Sequence, residues 1–221
     1  MITVIGNLKG GSGKSTVAFN LAIWLAWQKR EVKILDLDPQ KTLTDLVQVR
    51  EEEAYFPALT LLPSDMPLEK LASESGEILV DVGAANLVGM FAAMSHAHRL
   101  LIPVVPGQAD VWSTQRFLGM IASHRHPDCE VKMFLNRTDA MGGSKEAKEA
   151  AAAIAMLKSA KVVPARLGQR VWFCRSLSEG LAVFEMAPRG KASQEFLALT
   201  KALYPAIKAK QPWKIGAHVH D

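Results

Sequence analysis

Apolar and polar positions follow two alternating patterns along the chain. Short continuous apolar runs occupy Ile2–Ile5, Val32–Leu35, Leu59–Leu62, Ile78–Val80, Leu100–Val105, Val131–Leu135 and Val162–Val163. Between them lie longer stretches with helical spacing: Lys14–Gln28, Thr42–Arg50, Pro67–Ser73, Leu87–His96, Val111–Arg125, Ser144–Lys158 and Lys191–Ala209. Strands apolar on both faces and separated by helices predict a mostly parallel, twisted α/β sheet with helices on both sides. The 221 residues suit one such domain, 1–221, and no Pro, Gly or Ser-rich linker divides them. Ligands of such sheets bind beyond the carboxyl ends of the strands, so the loops after strands are where chemistry is expected.

The first of those loops carries the strongest signal. Strand Ile2–Ile5 runs through Gly6 into Asn7-Leu8-Lys9-Gly10-Gly11-Ser12-Gly13-Lys14-Ser15-Thr16 and then a helix. Gly10, Gly11 and Gly13 let backbone N–H groups converge on one point, and the following helix adds its unpaired N–H groups and positive dipole end. This is a P-loop in its required strand–loop–helix context. Lys14 is placed for the β- and γ-phosphates, the Ser15 hydroxyl for Mg²⁺, and Thr16 for the α-phosphate. Ser12 completes the loop.

Acids follow two of the next strands. Val32–Leu35 ends in Asp36-Leu37-Asp38-Pro39-Gln40, and residues 36 and 38 share one side of an extended chain. Glu77-Ile78-Leu79-Val80-Asp81 has the form of a Walker B strand, with Asp81 set to hold a Mg²⁺-bound water and Gly83 two residues on. Asp36 is read as the acid nearer the Mg²⁺ hydration shell. Taken singly, each acid also suits a helix N-cap.

One departure narrows the family. The general P-loop pattern puts Gly at position 8, where this chain has Leu8, and Lys9 precedes the glycine pair. Lys9-Gly10-Gly11-Ser12-Gly13-Lys14-Ser15 resembles the deviant Walker A motif of the ParA/MinD ATPases, and Asp36–Gln40 resembles their DxDPQ element. The likeness runs over roughly residues 1–200 and is nearest to the small ParA-type partition ATPases. It implies a slow, partner-stimulated ATP hydrolase that uses ATP and Mg²⁺ and closes into an ATP-sandwich homodimer. In that reading Lys9 reaches the partner subunit's phosphates and Asp38 positions the attacking water. Asn136, with Arg137 beside it, contacts adenine, although an Asn after a strand is more often a turn residue. The same resemblance places non-specific DNA binding at Arg170 with Arg166, extended by Lys191, Lys201, Lys208, Lys210 and Lys214. It also implies a cargo-side adaptor of the ParB type and a plasmid, chromosome region or microcompartment as cargo.

Charge bears on the DNA expectation. Net charge is +4, but residues 158–221 carry eleven Lys/Arg against four acids, while the remainder is slightly acidic. A basic C-terminal third suits a polyanion, or simply a solvated helix face. Cys129 and Cys174 form no CxxC pair, and the His96/His98 and His124/His126 pairs diverge on a helix, so neither set reads as a metal site. No apolar run reaches the ~20 residues of a membrane span, so the expected setting is cytoplasmic, and nucleoid-associated when ATP-bound. Rival readings are a MinD-like membrane-cycling ATPase working through residues 191–209, and a small-molecule kinase or ligase of the same fold.

Overall fold

The computed structural model describes residues 1–139 and 144–208. Seven strands, β1 (Ile2–Ile5), β2 (Val32–Asp36), β3 (Thr60–Leu61), β4 (Glu77–Asp81), β5 (Arg99–Val104), β6 (Glu130–Thr138) and β7 (Lys161–Gly168), form one sheet in the order β3-β2-β4-β1-β5-β6-β7. Every pairing is parallel. The chain moves one way from β1 and returns to the other side after β4, which makes the end of β1 the switch point where such sheets bind ligands.

Among the described residues eight α-helices cover the sheet: α1 (Lys14–Trp27), α2 (Thr42–Glu52), α3 (Leu87–Met94), α4 (Gln108–Ile121), α5 (Lys145–Ala155), α6 (Val171–Glu179), α7 (Val183–Met186) and α8 (Lys191–Leu203). Two cores result. One packs α1, α2, α7 and α8 against Ile5, Ile34, Leu79 and Leu101; the other packs α3, α4 and α5 against Val4, Val80, Leu100 and Ile102. These facing sets alternate along each strand, as the period of two requires. α1 is apolar almost all round because the sheet covers one side and α2, α7 and α8 the other; Phe19, Leu21, Ile23, Trp24 and Leu25 are all buried.

Two expectations from the sequence are corrected, and two helices are added. Residues Leu68–Ser73 wind as a 3-10 helix rather than an α-helix. The last described helix ends at Leu203, not at 209, because Pro205 disfavours helical geometry in the residue before it. Helices α6 and α7 went unread: each is short, and α6 opens on Val171, Trp172 and Phe173, which also suit a strand. Lys210 and Lys214 lie outside the described residues.

The register delivers the acids. Ile5 pairs with Asp81, and Asp81 pairs with Asp36, so the ends of β1, β4 and β2 lie side by side. The loop leaving β1 therefore emerges beside two carboxylates that are distant in sequence.

Candidate nucleotide site

The loop after β1 is pinned at its base. Buried Asn7 donates from Nδ2 to the Pro103 carbonyl at 2.7 Å and accepts the Lys9 N–H at 3.1 Å. The loop then turns through left-handed backbone at Gly11 (φ 72°) and Gly13 (φ 88°), the latter capping α1. A Cβ at Gly13 would lie 2.4 Å from Asn136 Nδ2, so both the dihedral and the space require glycine.

Lys14 is buried, and its ammonium lies 3.4 Å from the Lys9 carbonyl. Burial lowers its pKa, while Asp81 and Asp38 act the other way. Lys9, in contrast, has a side chain 44% exposed and only a loose 4.0 Å contact with Asp110. The two loop lysines thus have opposite settings, one committed to the seat and one on its rim.

The three acids differ as sharply. Asp36 is buried, but its oxygens are engaged: Oδ1 accepts the Asp38 N–H at 3.0 Å, and Oδ2 accepts the Thr44 N–H and hydroxyl, both at 2.9 Å. It closes the first turn of α2 in the manner of a cap. Asp38 is half-buried and accepts the Gln40 N–H at 3.0 Å. Its carboxylate lies over Gly83, where an added Cβ would meet it at 2.7 Å, so the two loops can approach only with glycine there. Asn86 ties the same loops by donating to the Leu37 carbonyl at 2.9 Å.

Asp81 is fully buried, and neither oxygen has a hydrogen-bond partner of good geometry. Burial, and then the charges of Asp36 and Asp38, raise its pKa from 3.8 to about 7; the Ser15 hydroxyl and Lys14 pull the other way. The Ser12 hydroxyl is likewise buried without a partner. A buried, unsatisfied carboxylate is costly unless something binds it. A magnesium ion fits this donor set, since Mg²⁺ takes one or two carboxylates plus waters and phosphate oxygens rather than an all-protein cage.

Beyond the loop opens a cavity of about 610 Å³, within the range that takes a nucleotide-sized ligand. Gly10, Gly11, Gly13, Lys14, Ser15 and Thr16 form one wall, and Asp38, Asn136 and Arg137 contribute to it. The far wall is β7 and α6, through Leu167, Gln169, Phe173, Cys174 and Leu177. Sequence reasoning missed that wall together with α6; the spacing of Phe173 and Leu177, four apart, was the available signal.

Arg170 also lines this cavity, and its guanidinium is spent on Glu195, at 2.9 Å from Nε and 2.5 Å from the terminal nitrogen. Glu195 further accepts the Gly168 N–H at 3.0 Å. Arg166 is exposed on β7. The structure therefore separates the two arginines grouped by sequence: Arg170 braces the β7–α6 turn, and Arg166 faces outward.

Residues 3–170 match the family described as the CobQ/CobB/MinD/ParA nucleotide binding domain. The chain belongs to that family. Over 199 residues it is 28% identical to the maintenance of carboxysome distribution protein A of Halothiobacillus neapolitanus, covering 86% of this chain and 90% of that one. Its fold is similar to that of apo McdA from Cyanothece, with a TM-score of 0.75 at 22% identity over 91% of this chain and 98% of that one. It is also similar in fold to a putative plasmid partition protein from Borrelia burgdorferi B31, solved bound to AMPPNP. There the TM-score is 0.70 at 16% identity over 93% and 99% of the two chains. The chain is thus a P-loop ATPase of the ParA/MinD type, and the expected α/β fold with a parallel sheet is the one it has.

Proposed function

We propose that this ParA/MinD-type ATPase closes into an ATP-sandwich homodimer, binds DNA non-specifically in that state, and positions a cargo through a ParB-type adaptor that prompts hydrolysis. The observation that carries the reading is the contrast between the two loop lysines. Lys14 is buried beside Asp81, whereas Lys9 stands on the rim with more than a third of its side chain in solvent. A cation placed there serves phosphates seated in a second subunit better than those in its own, and it acts only once the dimer has formed.

Bound MgATP supplies the transferable γ-phosphoryl group and a divalent cation. The loop amides of Gly10–Thr16 and the Lys14 ammonium hold the phosphates. Ser15 and Asp81 hold the cation, with Asp36 behind them fixing the start of α2. Asp38, near enough to Lys14 and Asp81 to act on their charge, orients the attacking water. Without an adaptor to order the loops at Asp38 and Gly83, turnover is slow. Exposed Arg166, Arg175, Lys191 and Lys201 supply cations for DNA phosphates, with the steep salt dependence such contacts bring. The setting is cytoplasmic, with nucleoid association in the ATP state. Similarity to a carboxysome-distribution protein favours a microcompartment as cargo over a replicon.

The membrane-cycling alternative is disfavoured by α8, whose apolar residues Phe196, Leu199 and Leu203 are buried in the core rather than free for lipid. Among the described residues no helix is long and apolar enough to cross a membrane.

The test is light scattering with ATP, ADP or no nucleotide on Asp38→Ala, which removes the proposed water-orienting carboxylate and is expected to hold the ATP state, and on the Lys9→Ala, Asp38→Ala double variant. The first is expected to dimerise with ATP alone and to be retained on DNA only then. The double variant is expected to bind ATP yet stay monomeric. ATP-independent DNA retention, or dimerisation of the double variant, refutes the switch.

A further inference from the structure

The end of β6 holds a feature that the base-contact expectation does not use. Asn136 and Arg137 are consecutive, and they bind consecutive carbonyls of the phosphate loop. Asn136 Nδ2 donates to Ser12 O at 2.7 Å, and the Arg137 guanidinium donates to Gly11 O at 2.6 Å. In a regular strand, neighbouring side chains point to opposite faces and could not both reach one loop. Arg137 escapes that rule because its backbone is left-handed, with φ 54°, at a register irregularity between β6 and β7. A non-glycine residue in that conformation costs about 1 kcal/mol or more, and such strain persists where surrounding structure enforces it.

The two bonds have a directional consequence. In a trans peptide the C=O and the following N–H point in opposite directions. Tying Gly11 O and Ser12 O toward β6 therefore fixes the Ser12 and Gly13 N–H groups in the opposite direction, away from β6. Those amides belong to the set that must converge on phosphate. Asn136 is almost fully buried and packs against Gly13, so its bond is part of the core; Arg137 is exposed, and its bond is the accessible half of the pair.

We propose that Arg137, with Asn136, is a positioning clamp that presets the phosphate-binding amides before nucleotide arrives, and that Arg137 acts on the loop rather than on the base. Its left-handed backbone is the device that turns both side chains to one loop. The clamp is made of bonds within one chain, so it stands or falls separately from the dimer and DNA reading.

The experiment compares wild type with Arg137→Gly, which removes the tether while relieving the left-handed strain, and with Arg137→Lys. Hydrogen exchange of the nucleotide-free proteins is read over residues 10–14, alongside thermal midpoints and steady-state ATPase kinetics. For Arg137→Gly, loop exchange is expected to quicken with the midpoint unchanged or raised. KM for ATP is expected to rise about three- to tenfold, the net worth of one ordinary hydrogen bond, with kcat within about twofold. Arg137→Lys, which keeps charge and one donor, is expected to fall between. A raised KM with unchanged loop exchange would mean that Arg137 reads the ligand and would overturn the clamp. Unchanged exchange together with unchanged KM would overturn it as well.

Discussion

Asp81→Asn tests the physical premise of the site, because the change removes a charge and keeps the shape. In the nucleotide-free protein the Asp81 carboxyl titrates at about 7 instead of 3.8, chiefly because burial penalises its charged form. The folded state therefore binds the proton more tightly than the unfolded chain does. Stability is unaffected below the unfolded value, falls as pH rises from about 4 toward 7, and levels off above the folded value. At about 1.36 kcal/mol for each pH unit between the two values, the ionised carboxylate costs at most about 4 kcal/mol at pH 8. Relaxation and water entry reduce that ceiling. Asn cannot ionise, so Asp81→Asn is expected to match wild type near pH 4 and to exceed it progressively, by about 2–4 kcal/mol at pH 8. Urea denaturation at half-unit steps from pH 4 to 8.5, without nucleotide or magnesium, measures the difference. Adding MgATP should reverse the order, since wild type then gains the cation site and the variant does not. A difference independent of pH, or a variant less stable than wild type at pH 8, would show that Asp81 is not an uncompensated buried carboxylate.

Other perturbations probe separate parts of the frame. Gly13→Ala combines φ 88° with a 2.4 Å approach to Asn136 and is expected to abolish ATP binding in calorimetry while circular dichroism stays native. Arg50 and Glu185 form a buried bidentate pair at 2.9 Å, to which Trp27 also donates at 2.7 Å; Glu185→Ala should cost about 3–5 kcal/mol in urea denaturation by leaving Arg50 uncompensated. Gly83→Ala, which sets a methyl 2.7 Å from the Asp38 carboxylate, is expected to cut ATPase turnover at least about tenfold with little change in ATP affinity, read by steady-state kinetics and calorimetry. Arg166→Glu should weaken ATP-dependent DNA retention and flatten its salt dependence, whereas Arg170→Ala should first lower the melting temperature, because Arg170 is bonded to Glu195.

What could be read in advance and what could not divide along the range of the interactions. The phosphate loop was legible because strand, glycines, lysine and helix are contiguous, and their local geometry is set by residues a few positions apart. Asp81 was legible as the end of an apolar strand, but its lack of a partner was not, since that depends on β4 lying between β1 and β2. Asp36 shows the same limit from the other side. Its place at a strand end suited either a cation or a cap, and only the fold reveals both its oxygens held by Asp38 and Thr44. Arg170 looked like one more cation in a basic segment until Glu195, 25 residues away, was brought against it. Charge count along a sequence does not say which cations are already neutralised.

The clamp at Asn136 and Arg137 is the part of the site least visible in the sequence. No periodicity announces a left-handed arginine, because the conformation is a tertiary result: residue 137 is turned by contacts with a loop some 126 positions earlier. The glycines of that loop give the amides freedom, and freedom alone would leave them scattered. A seat for phosphate needs the opposite property, amides already aimed before the charge arrives, because ordering them afterward would cost binding energy. Buried Lys14, orphaned Asp81 and the tethered carbonyls are three forms of that one requirement. Lys14 and Asp81 are held in unfavourable solvation by the core around them, and the two carbonyls in fixed directions by the end of β6, so in each case the cost is met by the fold in advance.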